Sequence, residues 1–326
     1  MTEVKTDKHF DILPPKNQLR LFGYNKHFED FIKLFKIGKL PNKILLSGNK
    51  GCGKATFSYH FINYLLTYGK TNKYIINDFA IDKENFDYKN LCNNTNPNFF
   101  LLENTSSEES IKIESTRKLI KFLNKTTYSS DIKIVLIDNA EQLNIHSSNA
   151  LLKVLEESNE RTFFFIIYNN SNKILSTIKS RCTEFKIHFS TPKKKTILKK
   201  LASEYIENFD INKIDDNLLF DTPGNILKYL IILTSNNIDI LNDKTSCILY
   251  LMDKYNQKKD PELFSFLSIL IELYYNDLFA NNQNNLELYS MQKYKLLNLI
   301  NDTKKFNLDK KNLFITIKET ISNESR

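Results

Sequence analysis

The chain has 326 residues, with 46 basic against 38 acidic side chains, a net charge of +8 and 41% hydrophobic content. That leaves room for two or three domains around sizeable cores and matches an ordinary globular protein. The polar start Met1–Lys5 does not read as a signal peptide, and no apolar run approaches the roughly 18 residues of a membrane span; Phe163–Ile167 and Phe266–Tyr275 are short or interrupted. Cys52, Cys92, Cys182 and Cys247 are far apart and form no C-x-x-C pair, and the five histidines lack metal-ligand spacing. No zinc site is expected, and a cytoplasmic protein with free thiols is.

In chain order, Lys43–Ser47 predicts a strand and Lys54–Tyr68 a helix with Phe57, Phe61, Tyr64 and Leu65 along one face. Asn98–Glu103 predicts a second strand, Ser115–Leu123 an amphipathic helix and Lys133–Ile137 a third strand. A helix over Ser148–Glu157, a strand over Thr162–Tyr168 and a fifth strand over Glu184–Phe189 follow. Continuous apolar strands separated by helices argue for an α/β fold with a parallel sheet covered on both faces. Past Thr191 the pattern turns helical: Lys193–Tyr205, Gly224–Leu233, Ser246–Tyr255, Pro261–Leu278, Glu287–Asn301 and Lys310–Ile321. Asp260-Pro261 reads as an N-cap followed by proline at the first helical position, and Asn281–Asn285 as a polar loop. The expected division is an α/β domain over 1–189, a small helical domain over 190–238 and an all-α domain over 239–326.

Three of the seven glycines, Gly48, Gly51 and Gly53, fall within six residues, and Lys54 follows. Between a strand and a helix, such glycines let the backbone wrap a phosphate with N–H groups inward, and the lysine reaches the outer phosphates. The pattern G-x-x-x-x-G-K-[ST] is met except at its end, where Ala55, followed by Thr56, replaces the hydroxyl that would hold Mg²⁺. Asp138 closes the third strand, where a phosphate-loop ATPase keeps a Mg²⁺-binding carboxylate. The next residue is Asn139, whose amide cannot act as a general base, and Glu141 is expected to point elsewhere.

Net positive charge suits a nucleic-acid partner. The densest basic cluster, Lys193–Lys195 with Lys199 and Lys200, reads equally well as a solvated helix face. In a chain this rich in lysine, an arginine suggests a place where a planar, bidentate cation is wanted; there are five, Arg20, Arg117, Arg161, Arg181 and Arg326, with chance the alternative for some of them and a local salt bridge or subunit contact expected for Arg161.

The run Ser148-Asn149-Ala150-Leu151-Leu152-Lys153-Val154-Leu155-Glu156-Glu157 resembles the helix after the second nucleotide-site strand in clamp-loader ATPases of the AAA+ type. Ser180-Arg181-Cys182 resembles the Ser-Arg-Cys motif of the same family, and Leu21-Phe22-Gly23 with Gly38–Ser47 resembles its lead-in. Gly53–Thr56, Asn96–Phe99 and Thr222-Pro223-Gly224 resemble the delta-prime branch of bacterial DNA polymerase III clamp loaders. The resemblance implies a P-loop AAA+ domain, a helical lid and a helical collar that joins a ring. It implies that Arg181 is an arginine finger acting in trans, with Gly48, Gly51, Gly53, Lys54, Ala55, Thr56, Asp138 and Asn169 forming a nucleotide site. Asn169 stands where the family's sensor-1 residue reads the γ-phosphate, although a turn-forming asparagine fits there equally. Cys182 is expected to be a small packing residue, and no sensor cation follows Gly224, where Asn225 and Leu227 stand. The resemblance implies a largely non-catalytic stator with weak or vestigial ATP or ADP binding and no zinc. Its partners would be the ATPase motor subunits, delta, the sliding clamp and primed DNA, with no membrane. The alternative is an active ATPase motor subunit of a clamp loader.

Overall fold

The computed structural model describes residues 12–71, 73–104, 110–125, 132–170, 173–206, 218–219, 221–234, 244–259, 261–281 and 285–324. Five parallel strands form the sheet: β1 (Lys43–Gly48), β2 (Phe99–Leu102), β3 (Lys133–Ile137), β4 (Thr162–Asn169) and β5 (Thr183–Lys186). Their order across the sheet is β2-β3-β4-β1-β5. The register sets Gly48 beside Asn169 and Leu102 beside Ile137. Alternate side chains feed two cores. Ile44, Leu46, Ile134, Leu136, Phe163 and Phe165 face one, while Leu45, Val135, Ile137, Phe164 and Ile166 face the other. This period of two, with both faces buried, is what the continuous apolar runs require.

Around the sheet lie α1 (Asn25–Lys36), α2 (Lys54–Thr67), α3 (Phe86–Cys92), α4 (Ile113–Leu123), α5 (Ile145–Glu157) and the single turn α6 (Ser176–Lys179). Helix α2 is buried at every position except Ala55, so it lacks a strong polar face and packs as a core helix. Its Phe57 and Phe61 meet Phe28 and Phe31 of α1 edge to face. Helix α5 starts three residues before its expected Ser148, because the side chain of Asn144 accepts from the N–H of Ser147 and caps it. Helices α1 and α3 were not among the expected elements. The i, i+3, i+4 set Phe28, Phe31, Ile32 carries the first, and the Asn85 cap starts the second. The fifth strand is shorter than Glu184–Phe189: pairing stops at Lys186, and Ile187 and Phe189 stay buried after it. Their apolar character comes from burial beyond the ladder.

The chain divides into two compact units. One runs to Leu201 and takes in Thr222–Asn225; the other holds the described residues from Ala202 onward apart from those four. Helix α7 (Thr191–Tyr205) carries the expected lysine cluster, and Lys193 lies over the ring of Phe189, 5.1 Å from its centroid. The second unit is helical, with α8 (Pro223–Thr234), α9 (Lys244–Lys258), α10 (Pro261–Asn281), α11 (Leu286–Lys305) and α12 (Lys310–Glu324). Helix α10 packs on α9 and α11, and α12 packs on α11 and α9. Tyr229 stacks on Phe266 at 3.8 Å, and Lys244 pairs with Asp277. Contrary to expectation, α10 is long and apolar enough over Leu263–Asn281 to match a membrane span. Half of that stretch is buried within the protein, including Phe266, Leu270, Ile271 and Tyr275, as in a core helix. The expected cap at Asp260 and the centre of the polar run Asn281–Asn285 lie outside the described residues; Asn281 itself ends α10.

Candidate nucleotide site and outward arginine

The site forms where β1, β3 and β4 end. In a parallel sheet these carboxyl ends open the crevice in which α/β proteins bind ligands. After Gly48 the chain turns through Gly51 (φ +85) and Gly53 (φ +83), then enters α2 at Lys54. Both glycines occupy the left-handed region that a side chain strains. Tyr24, buried and stacked on Phe57, donates its hydroxyl to the carbonyl of Cys52 at 2.9 Å and anchors the loop from beneath. Sequence reasoning did not single out Tyr24, because nothing in a lone tyrosine before a helix signals this bond.

Lys54 is 3% exposed. Its ammonium donates to Gly48 O at 2.8 Å, Asn49 O at 2.7 Å and Asn169 Oδ1 at 2.9 Å. An ammonium has three N–H groups, so all three are spent inside the chain. Burial lowers its pKa, while nearby Cys52, Glu141 and Asp138 oppose that shift. The structure thus brings Lys54 and Asn169 together at the ends of the loop and of β4.

Asn169 ends β4, and its partners fix its amide orientation. Lys54 can only donate, so it faces Oδ1; the Nδ2 group donates to Glu141 Oε1 at 2.8 Å and to Asn139 Oδ1 at 2.7 Å. The backbone N–H of Asn169 donates to Glu141 Oε2 at 3.0 Å. Glu141 therefore enters the site, contrary to the expectation that it points elsewhere. The reason is local: Asn139 takes φ +55, and the short 3₁₀ turn Ala140–Gln142 swings the next carboxylate back over β4. Asparagine tolerates that left-handed conformation better than most residues.

Asp138 follows β3, and its carboxyl is pushed up to about 6, first by burial, with Glu103 and Glu141 adding to the shift. Glu103, at the end of neighbouring β2, is also raised by burial. Sequence reasoning missed it, although its place after a strand parallels that of Asp138. Ala55 offers no oxygen, and Thr56 is buried at 7% exposure. The loop thus has Lys54 and the strand-end carboxyls of Asp138 and Glu103 near it, but Ala55 brings no side-chain hydroxyl of the kind that completes a Mg²⁺ site.

The far side of the loop is covered by Thr222–Asn225. Thr222 Oγ1 donates to Lys50 O at 2.8 Å, and the N–H of Gly224 donates to Gly51 O at 2.9 Å. A Cβ on Gly51 would lie 2.2 Å from Thr222 Oγ1 and 2.7 Å from Asn225 Oδ1. The turn that precedes the expected sensor position therefore touches the loop through a hydroxyl and a backbone N–H.

Arg181 stands just past α6, apart from this crevice in sequence and in partners. Its guanidinium pairs with Glu156 of α5 and caps Thr177 O at 3.0 Å. Cys182 packs against the core on its side of the sheet, and burial raises its thiol to about 11, as a packing role predicts.

Residues 23–191, more than half of the chain, match the family described as DNA polymerase III, delta subunit. A stretch of 94 residues is 37% identical to the DNA polymerase III subunit delta' of Pseudomonas aeruginosa, covering 29% of this chain and 29% of that protein. Over 235 residues the chain is 29% identical to the DNA polymerase III subunit gamma of Buchnera aphidicola from Schizaphis graminum, covering 70% of this chain and 62% of that protein. The match thus spans less than two thirds of either relative. Among solved structures, a gamma subunit-related protein of Thermotoga maritima aligns with a TM-score of 0.49 and 17% identity, over 90% of this chain and 97% of that one.

Proposed function

The chain belongs to the DNA polymerase III delta-subunit family, and on that premise we propose that it is a stator subunit of the clamp loader, supplying an arginine finger to a neighbouring ATPase. In this role it helps load the sliding clamp on primed DNA in the cytoplasm. Its α/β domain (1–189) and helical lid (190–238) sit in a ring held by the helical collar (239–326). The observation that carries the reading is Lys54: its three donors are satisfied by Gly48, Asn49 and Asn169, so a bound phosphate must first displace an internal partner. With Ala55 in place of a hydroxyl and Asn139 in place of a carboxylate, ATP or ADP binding is weak or vestigial and turnover is lost. Lys54 and the loop would hold the phosphates of any nucleotide that binds, and Asp138 would face its metal.

Arg181 acts elsewhere. A planar cation that is partly exposed just past α6 can reach a γ-phosphate bound by the next subunit and stabilise the charge that develops there. The experiment is ATP turnover by the reconstituted loader with clamp and primed DNA, comparing wild type with Arg181→Ala. Turnover falls about tenfold or more while the complex stays assembled, because a finger contributes on the order of 10³–10⁵ at its site. Unchanged turnover rejects the finger.

One observation favours the alternative, an active motor: Glu141 lies in the site and could stand in for the missing base at Asn139. Both of its oxygens accept from Asn169, however, which leaves it less able to activate water. ATP turnover by the isolated chain that Lys54→Ala abolishes would establish the motor instead.

A further inference from the structure

Two neighbouring carboxylates end α5, and they are used differently. Glu157 faces Lys153 one helical turn back, at 3.9 Å. Glu156 instead crosses to Arg181, 25 positions on: Nε donates to its Oε1 at 2.7 Å, and Nη2 donates to the same oxygen. Nη1 donates to Thr177 O at 3.0 Å. Lys179, two residues before, is drawn aside over the ring of Tyr168, 4.5 Å from its centroid. The guanidinium is therefore tied at two points, by one carboxylate and one helix-end carbonyl.

A guanidinium carries five N–H groups. Three are engaged here, leaving one on each terminal nitrogen without a partner among the described residues. Two parallel N–H groups are what a phosphate takes in bidentate fashion. A long side chain at the end of a single helical turn would otherwise sample many rotamers, and each approach to a phosphate would have to order it anew.

We propose that Glu156 is the positioning residue of Arg181, holding its guanidinium so that one free N–H on each terminal nitrogen is presented to a phosphate bound by a neighbouring subunit. The inference rests on the reading of Arg181 as a finger. Glu156 touches no phosphate itself and acts only through Arg181. It stays 53% exposed at its side chain and Arg181 35%, so both remain open to a partner surface.

The test uses the whole reconstituted loader with clamp and primed DNA, measuring kcat and KM for ATP and checking assembly by gel filtration. Glu156→Ala lowers kcat about tenfold with KM unchanged, as a small loss of orientation at a reacting group does. Glu156→Gln, which keeps one carbonyl acceptor for the guanidinium, restores most of that loss. Glu157→Ala leaves turnover as in wild type. In an Arg181→Ala background, Glu156→Ala has no further effect, because the residue it positions is gone. Wild-type turnover in Glu156→Ala, beside a depressed Arg181→Ala, overturns the positioning role and leaves the finger standing. Additive losses in the double variant overturn it too, since Glu156 then acts by another route. Wild-type turnover in Arg181→Ala removes the finger, and with it this inference.

Discussion

Gly51→Ala tests whether the glycine loop is packed closely against the turn at Thr222–Asn225. Gly51 has φ +85, where an L-residue is strained by roughly 1–2 kcal/mol. The added Cβ would also sit 2.2 Å from Thr222 Oγ1, so the hydroxyl must leave its bond to Lys50 O. A lost buried hydrogen bond costs about 1 kcal/mol more. The total is about 2–3 kcal/mol, which lowers Tm by roughly 5–10 °C for a unit of this size. Gly69→Ala is the control, because it has φ +79 and nothing within 4 Å of the new Cβ. Only the backbone strain remains there, so its Tm falls by about 2–6 °C. Thermal unfolding followed by calorimetry reads both, and hydrogen exchange at the Gly224 amide, which donates to Gly51 O at 2.9 Å, reports the turn directly. In Gly51→Ala that amide exchanges faster, and in Gly69→Ala it does not. Equal Tm losses with unchanged exchange at Gly224 would refute the close approach.

Two further predictions concern pH. Asp138 is shifted from 3.8 to about 6, so the unfolded chain ionises first as pH rises and the folded state is penalised. That penalty is absent below about pH 4 and complete above about pH 6, at most about 3 kcal/mol. Asp138→Asn is therefore more stable than wild type at pH 8 by about 1–3 kcal/mol and no more stable at pH 3.5; a chemical-denaturation series that finds no gain at pH 8 counts against the buried carboxylate. His60 behaves in the opposite sense. Its Nε2 donates to the carbonyl of Gln18 at 2.9 Å, and its Nδ1 therefore accepts from the hydroxyl of Tyr74 at 2.8 Å. Burial lowers its pKa from 6.5 to about 4, so its contribution is full above pH 6.5 and is lost as pH falls to 4, by about 3 kcal/mol. The slope is clearest in the Asp138→Asn background, where the opposing carboxylate is gone, and it flattens in His60→Gln; a slope that persists in that variant would assign it to another group.

Local rules carried the sequence reading a long way. Strand runs such as Lys133–Ile137 and Thr162–Tyr168 were legible because a strand buried on both faces needs uninterrupted apolar residues. The glycine loop between β1 and α2 was legible because its left-handed backbone needs glycine at Gly51 and Gly53. Helix α5 was placed by periodicity, but its start was not, since Asn144 gains its meaning only when its side chain meets the amide of Ser147. The partners that decide the site's state were not legible. Lys54 and Asn169 are 115 positions apart, Lys50 and Thr222 are 172 apart, and Glu141 returns to the site only because Asn139 adopts a left-handed turn. The sequence by itself determined which segments become strands and helices and which residue types line the loop, because those depend on neighbours along the chain. Only the tertiary structure decided that the lysine's donors are spent, that Glu141 faces inward and that Glu156 holds Arg181. Hydrogen bonds between distant segments form where the sheet brings strand ends and helix ends together, and no local spacing encodes that meeting.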